Sequence, residues 1–126
     1  MKGSGETQPR DLRVRTREFS LRIIRLHAAL PKSKVAWTIG DQLLRSATSV
    51  GAHYREACRA RSDAEFVSKL GGGQQELEET LYWIELLMES GTIAKDRLTD
   101  LYDEADQLMA ILTTCIKNGR KKRVSK

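Results

Sequence analysis

The sequence predicts an all-α chain, four amphipathic helices arranged as an antiparallel up-and-down bundle. Three observations carry that prediction. Apolar residues recur at spacings of three and four through nearly the whole chain, the period of a helix with one buried face. No stretch alternates apolar and polar residues in twos, so no strand pattern competes. Short breaks containing Pro31, Ser62 and Gly91 separate the periodic stretches, and short connections put successive helices side by side. A chain of 126 residues suits one domain with a three- or four-helix core.

The first helix starts at about Asp11 or Thr16 and ends at Leu30, with Phe19, Ile23, Leu26 and Leu30 as its apolar stripe and Ile24 flanking it. Residues 1–15 are expected to be a flexible basic segment. Pro31 ends the helix, because proline donates no hydrogen bond and disfavours helical geometry in the residue before it. The second helix is expected from Val35 to Arg61, with Trp37, Ile39 and Leu43 opening its buried side. Leu43, Leu44, Ala47, Val50, Gly51, Tyr54 and Ala57 continue that face, while Arg45, Ser49, Arg55, Glu56 and Arg59 point away from it. Ala47 and Gly51, four apart, leave room for another helix to come close.

Ser62-Asp63-Ala64-Glu65 has capping-box spacing and starts a third helix that runs to Ser90. Phe66, Leu70, Leu77, Leu81, Ile84 and Met88 form its stripe, and Gly91 stands where a C-terminal glycine belongs. The run Gly71-Gly72-Gly73 forfeits about 2–3 kcal/mol of helix propensity. No strand precedes it and no GK[ST] follows, so it reads as a kink or a place of close backbone approach rather than a phosphate loop. The fourth helix is expected from Lys95 to Asn118 on a seam of Leu98, Leu101, Ala105, Leu108, Leu112 and Cys115. Asn118-Gly119 then reads as its stop. The bundle proper is thus 16–118, and 119–126, with Arg120 to Arg123, is expected to be a disordered basic tail.

Charge is unevenly spread. Residues 1–34 hold nine Lys/Arg against three acids, 35–61 four against two, 62–91 one against seven, and 92–126 eight against five. An acidic third helix with a basic first helix and a basic tail suits head-to-tail packing of unlike faces, and it also suits an anionic partner. Apolar runs are too short and too charged to span a membrane, and the N-terminus has no apolar signal core, so the chain reads as cytoplasmic. Cys58 and Cys115 lack metal or redox spacing and read as reduced thiols. His27 and His53 belong to neither a Glu-x-x-His nor an HExxH motif, and the glutamates read as a charged helix face. No catalytic residue, metal site or cofactor is expected. Tyr82 and Trp83 point to different sides of their helix, one toward the core and one toward an interface. The arginines have two readings, a solvated or intersubunit ion-pairing face and a surface that tracks phosphates without reading sequence.

The runs LRIIRLHAALPKSK, GDQLLRSATSVGAHYREACRARSDAEFVSKL, EETLYWIELLMESGTI and EADQLMAIL go further. From Phe19 to Lys117 the chain resembles the four-helix bundle proteins encoded in intervening sequences of bacterial large-subunit ribosomal RNA genes. A relative of that family is the accessory protein of diversity-generating retroelements. The resemblance implies a left-handed antiparallel bundle assembled as a homopentameric ring, with RNA or DNA and a protein as partners and no catalytic role. The chain departs from the family pattern at His53, where asparagine is common, and at Gly71 to Gly73, where apolar or alanine-rich residues are usual. With that resemblance, Arg13, Arg17, Arg22 and Arg25 on the first helix and Arg45, Arg55, Arg59 and Arg61 on the second are the expected phosphate contacts. Ser46, Ser49, Tyr54 and Glu56 are expected to fix helix packing or subunit register. The acidic third helix is expected to face a basic surface of a neighbouring subunit. The alternative is a structural adaptor whose ring recruits a protein and whose arginines serve its interfaces.

Overall fold

Each periodic stretch is one continuous helix in the computed structural model, which describes residues 9–125 and the side chains of 12–121. The helices are α1 (Pro9–Ala28), α2 (Lys34–Cys58), α3 (Asp63–Glu89) and α4 (Thr99–Ser125), with a 3-10 turn at Lys95–Arg97 before the last. No strand occurs among the described residues. Local chemistry fixes the ends. Ser33 caps α2 by accepting from the Ala36 amide at 3.1 Å. Ser62 caps α3 by accepting from the Glu65 amide at 3.0 Å, while the Glu65 carboxylate takes the Arg61 amide at 2.9 Å, one residue before the usual reciprocal partner. Gly91, at φ +73°, turns the chain out of α3, and the Ile93 amide returns to the Leu87 carbonyl at 3.3 Å.

The four helices share one apolar core. Leu12, Phe19, Ile23 and Leu26 of α1 meet Leu43, Ala47, Val50, Tyr54 and Ala57 of α2. Val67, Leu70, Leu77, Ile84 and Leu87 of α3 and Leu101, Ala105, Leu108, Leu112 and Ile116 of α4 complete it. α2 packs extensively on α3 and on α1, α3 packs on α4, and α1 touches α4 lightly. Close approaches set the register. Gly51 of α2 lies against Thr16 of α1, and Gly40 lies under Leu30 and His27. Later residues of α2 therefore meet earlier residues of α1. Between α2 and α3 the buried hydroxyls of Ser46 and Thr80 meet at 2.9 Å. Thr80 also donates to the Glu76 carbonyl at 2.8 Å, so neither hydroxyl is left unsatisfied.

Several expectations change. Trp37 does not open the buried face of α2: it is 52% exposed, and the small residues Ala36 and Gly40 are buried instead, because α1 approaches too closely there for an indole. The helix ends at Cys58 rather than Arg61. The α3 stripe is centred on Val67, Leu70, Leu77, Thr80, Ile84 and Leu87, with Phe66, Leu81 and Met88 at its edges. The glycine triplet leaves α3 unbroken, and Gly72 and Gly73 face α2, so close approach is the reading that holds. Trp83 packs on the core and Tyr82 is exposed.

The ends of the chain differ as well. α1 already begins at Pro9, so residues 9–15 of the segment expected to be flexible are helical, and residues 1–8 lie outside the described residues. At the other end α4 continues through Gly119 to Ser125, where a disordered tail was expected. Gly119 is buried against Val67 and Phe66 of α3 and serves as a packing notch, not a stop.

Candidate nucleic-acid interface

The eight arginines singled out by sequence do not form one patch. On α1, Arg13, Arg17 and Arg25 are exposed and Arg22 is half-buried; on and just after α2, Arg45, Arg55, Arg59 and Arg61 are exposed. The Gly51–Thr16 contact sorts them. Arg13 and Arg17 flank Thr16 within a turn. Arg55 follows Gly51 by about one turn and Arg59 by about two, at 3.6 residues per turn. The start of α1 and the end of α2 thus present Arg13, Arg17, Arg55, Arg59 and Arg61 at one end of the molecule. Arg22 and Arg25 lie toward the other end, where His27 and Leu30 cover Gly40.

Arg45 belongs to neither group. Its guanidinium reaches across to α3 and pairs with Glu76 at 3.3 Å and with Glu79 more closely. The hydrogen bond to Glu79, then the nearby carboxylate charge, raises its pKa above the ordinary arginine value, so it stays a cation. Such an exposed pair adds little stability, because solvent screens it. It does, however, spend this arginine's charge on α3. The acidity of α3 is met first within the chain: Glu76 and Glu79 hold Arg45, Glu85 accepts from the Tyr102 hydroxyl at 2.8 Å, and Glu65 caps its own helix. Glu78 and Glu89 remain exposed.

By contrast, none of Arg13, Arg17, Arg55, Arg59 and Arg61 forms a salt bridge with another described residue. Arg15, two residues from both Arg13 and Arg17, is the counter-example on α1. It forks onto Glu104 of α4, with Nε at 3.0 Å from Oε2 and Nη2 at 2.7 Å from Oε1, and ties the lightly packed α1–α4 seam.

The polar residues assigned to packing behave mostly as such. Ser46 bridges to Thr80, and Ser49 donates to the Arg45 carbonyl at 2.7 Å. Tyr54 is buried, and burial together with its hydrogen bond to Cys58 pushes its phenol far above the ordinary value. Glu56 is exposed, 3.5 Å from the Lys69 ammonium and 3.6 Å from His53 Nδ1. Burial raises the Cys115 thiol, which makes it a poor nucleophile. Among the described residues no cluster of histidine, cysteine and carboxylate side chains could hold a metal ion, and no helix is long and apolar enough to cross a membrane.

Arg120 and Lys121 stand outside the sequence-predicted set, because a run of four basic residues after Asn-Gly reads as a tail. Both are exposed on the last turns of α4. The available signal was Gly119 itself, three residues past Ile116 and seven past Leu112, in register with the buried seam.

Comparison with known proteins gives the chain its place. The model of the family described as "23S rRNA-intervening sequence protein" matches residues 10–114. The chain belongs to the 23S rRNA-intervening sequence protein family. A solved relative agrees: the crystal structure of a protein with unknown function from the S23 ribosomal protein family of Bacteroides thetaiotaomicron VPI-5482. It is 32% identical, and the alignment covers 86% of this chain and 97% of that one with a TM-score of 0.81. No curated protein matches. The family match takes in all eight sequence-predicted arginines and stops before the last turns of α4, so Arg120 and Lys121 lie outside it.

Proposed function

We propose that this family member is a non-catalytic, self-associating bundle of the antiparallel up-and-down type that binds RNA or DNA by its phosphates, without strong sequence specificity. The observation that carries the reading is the set of exposed arginines at the start of α1 and the end of α2, none of them in a salt bridge with another described residue. Guanidinium groups so placed release counterions from a nucleic acid when they take its phosphates. Self-association, with the pentamer implied by the resemblance as the expected size, is supported by two faces of opposite character. α1 exposes Val14, Leu21 and Ile24 among arginines, and α3 exposes Tyr82 among glutamates.

One variant separates the uses of the arginines. Arg55→Gln/Arg59→Gln/Arg61→Gln is expected to keep the oligomeric mass seen by light scattering and to lose binding to a structured RNA. A monomeric mass for the unmodified chain at micromolar concentration would refute the assembly. Dissociation of the oligomer by the triple variant would reassign these arginines to subunit interfaces.

A second reading is an adaptor that recruits a protein. What favours it is the apolar pair Val35 and Trp37, both about half exposed on the first turn of α2. Trp37→Ala would then abolish the recruitment and leave nucleic-acid binding intact.

A further inference from the structure

We infer that the ligand of the basic end is a nucleic-acid duplex held by its two backbones, and that the last turns of α4 form part of the surface that holds it. The inference rests on the phosphate-binding reading above and specifies the ligand and the extent of that site.

The path of α4 supplies the first argument. Gly119 is seated on Val67 and Phe66, within the first two turns of α3. Residues beyond Gly119 therefore run alongside the α2–α3 turn, where Arg59 and Arg61 stand. Arg120 follows immediately and is exposed, as is Lys121. Three helices, not two, bring arginines to this end: Arg13 and Arg17 from α1, Arg55, Arg59 and Arg61 from α2 and the turn after it, and Arg120 from α4. The acids nearby are largely engaged. Glu65 accepts from the Arg61 amide, Glu56 faces Lys69 and His53, and Asp63 has its own partner at the α3 start.

Secondly, among the described residues the basic end has no stacking platform. Single strands are held by aromatic side chains on which unpaired bases stack. The exposed aromatic rings among the described residues are Trp37 and Tyr82. Trp37 lies on the first turn of α2, at the far end, and Tyr82 lies past the middle of α3. Phe66, the ring nearest the basic end, is packed on the core and Gly119; Tyr54 is buried. Arginines spread over a helix-bundle end without rings between them recognise charge alone. A duplex offers one phosphate charge per about 1.7 Å of axis against about 3.4 Å for one strand, so it is the denser target for such a surface.

The test is fluorescence anisotropy of the full chain with duplex RNA, duplex DNA and an unstructured single strand of equal length, each over a salt series. Both duplexes are expected to bind about tenfold or more tightly than the single strand; a preference between them would name the source. Arg120→Gln is expected to lower the log–log salt slope by about 0.9, the loss of one phosphate contact. Adding Arg55→Gln, Arg59→Gln and Arg61→Gln should remove most of the binding, while Arg22→Gln/Arg25→Gln at the other end leaves it unchanged. All these side chains are exposed except the half-buried Arg22, and an unchanged melting curve checks the fold. Preference for the single strand, an unaltered slope in Arg120→Gln, or loss of binding through Arg22 and Arg25 overturns the inference while leaving nucleic-acid binding standing. No binding of any probe at low salt overturns the underlying reading as well.

Discussion

His53 of α2 and Gly72 of α3 touch each other. A Cβ on residue 72 would stand 2.8 Å from His53 Cε1 and 2.9 Å from Nδ1, inside any tolerable contact, so the imidazole occupies the space that a glycine leaves in α3. Gly71, next to it, faces nothing within 4 Å. The two glycines are therefore separable by experiment. Gly71→Ala should raise thermal stability by up to about 1 kcal/mol, the helix-propensity difference. Gly72→Ala should lower stability, and adding His53→Asn should recover part of the loss, since the smaller amide withdraws from the new methyl group. Equal effects of the two alanines in a denaturant titration would remove His53 as the reason. Tyr54 gives a second prediction at this scale. Its phenol is raised by burial and by Cys58, so the unfolded chain ionises first as pH climbs past the ordinary value of 10.0. The folded state binds more protons there, so the stability Tyr54 contributes is complete below that pH and is lost as pH rises toward its folded value. The half-buried Cys115 thiol acts in the same direction. The urea midpoint should fall above pH 10, and Tyr54→Phe should make that fall shallower.

At the scale of the elements, legibility followed hydropathy. The stripes Phe19–Ile23–Leu26, Leu43–Ala47–Val50–Tyr54 and Leu101–Ala105–Leu108–Leu112 stand in the core as their spacing required. Most of the misses involve residues whose size, not polarity, decided the outcome. Ala36 and Gly40 are buried because helices meet there, and small residues carry little hydropathy, so Trp37 took the eye instead. Leu12 and Thr16 are buried in a stretch that reads as polar. Gly119 read as a stop because Asn-Gly usually is one, yet its missing side chain lets α4 lie on Val67. Gly119→Val should push the last turns of α4 away from α3 and speed amide exchange over residues 116–125, with the protection of Leu101 to Leu112 unchanged. Unchanged exchange beyond Gly119 would mean that α4 holds its end without that contact.

For the whole molecule, the arginines were legible one by one and their grouping was not, because grouping depends on which helix ends share a pole. Register settles it: Gly51 on Thr16 puts Arg55 and Arg59 with Arg13 and Arg17, and Gly119 on Val67 adds Arg120. Arg45 leaves the set through Glu76 and Glu79, and Arg22 and Arg25 lie at the opposite pole. The family match and the solved relative fix what kind of chain this is, and the charge geometry is what the proposed task rests on. The most direct measurement of that task is the affinity of the unmodified chain for a structured RNA as salt is raised. Phosphate capture by the basic end predicts a straight log–log line with a steep negative slope, several units deep, about 0.9 for each phosphate taken when the ligand is duplex DNA. A flat line, or no binding at low salt, would contradict the account and return the arginines to the subunit interfaces.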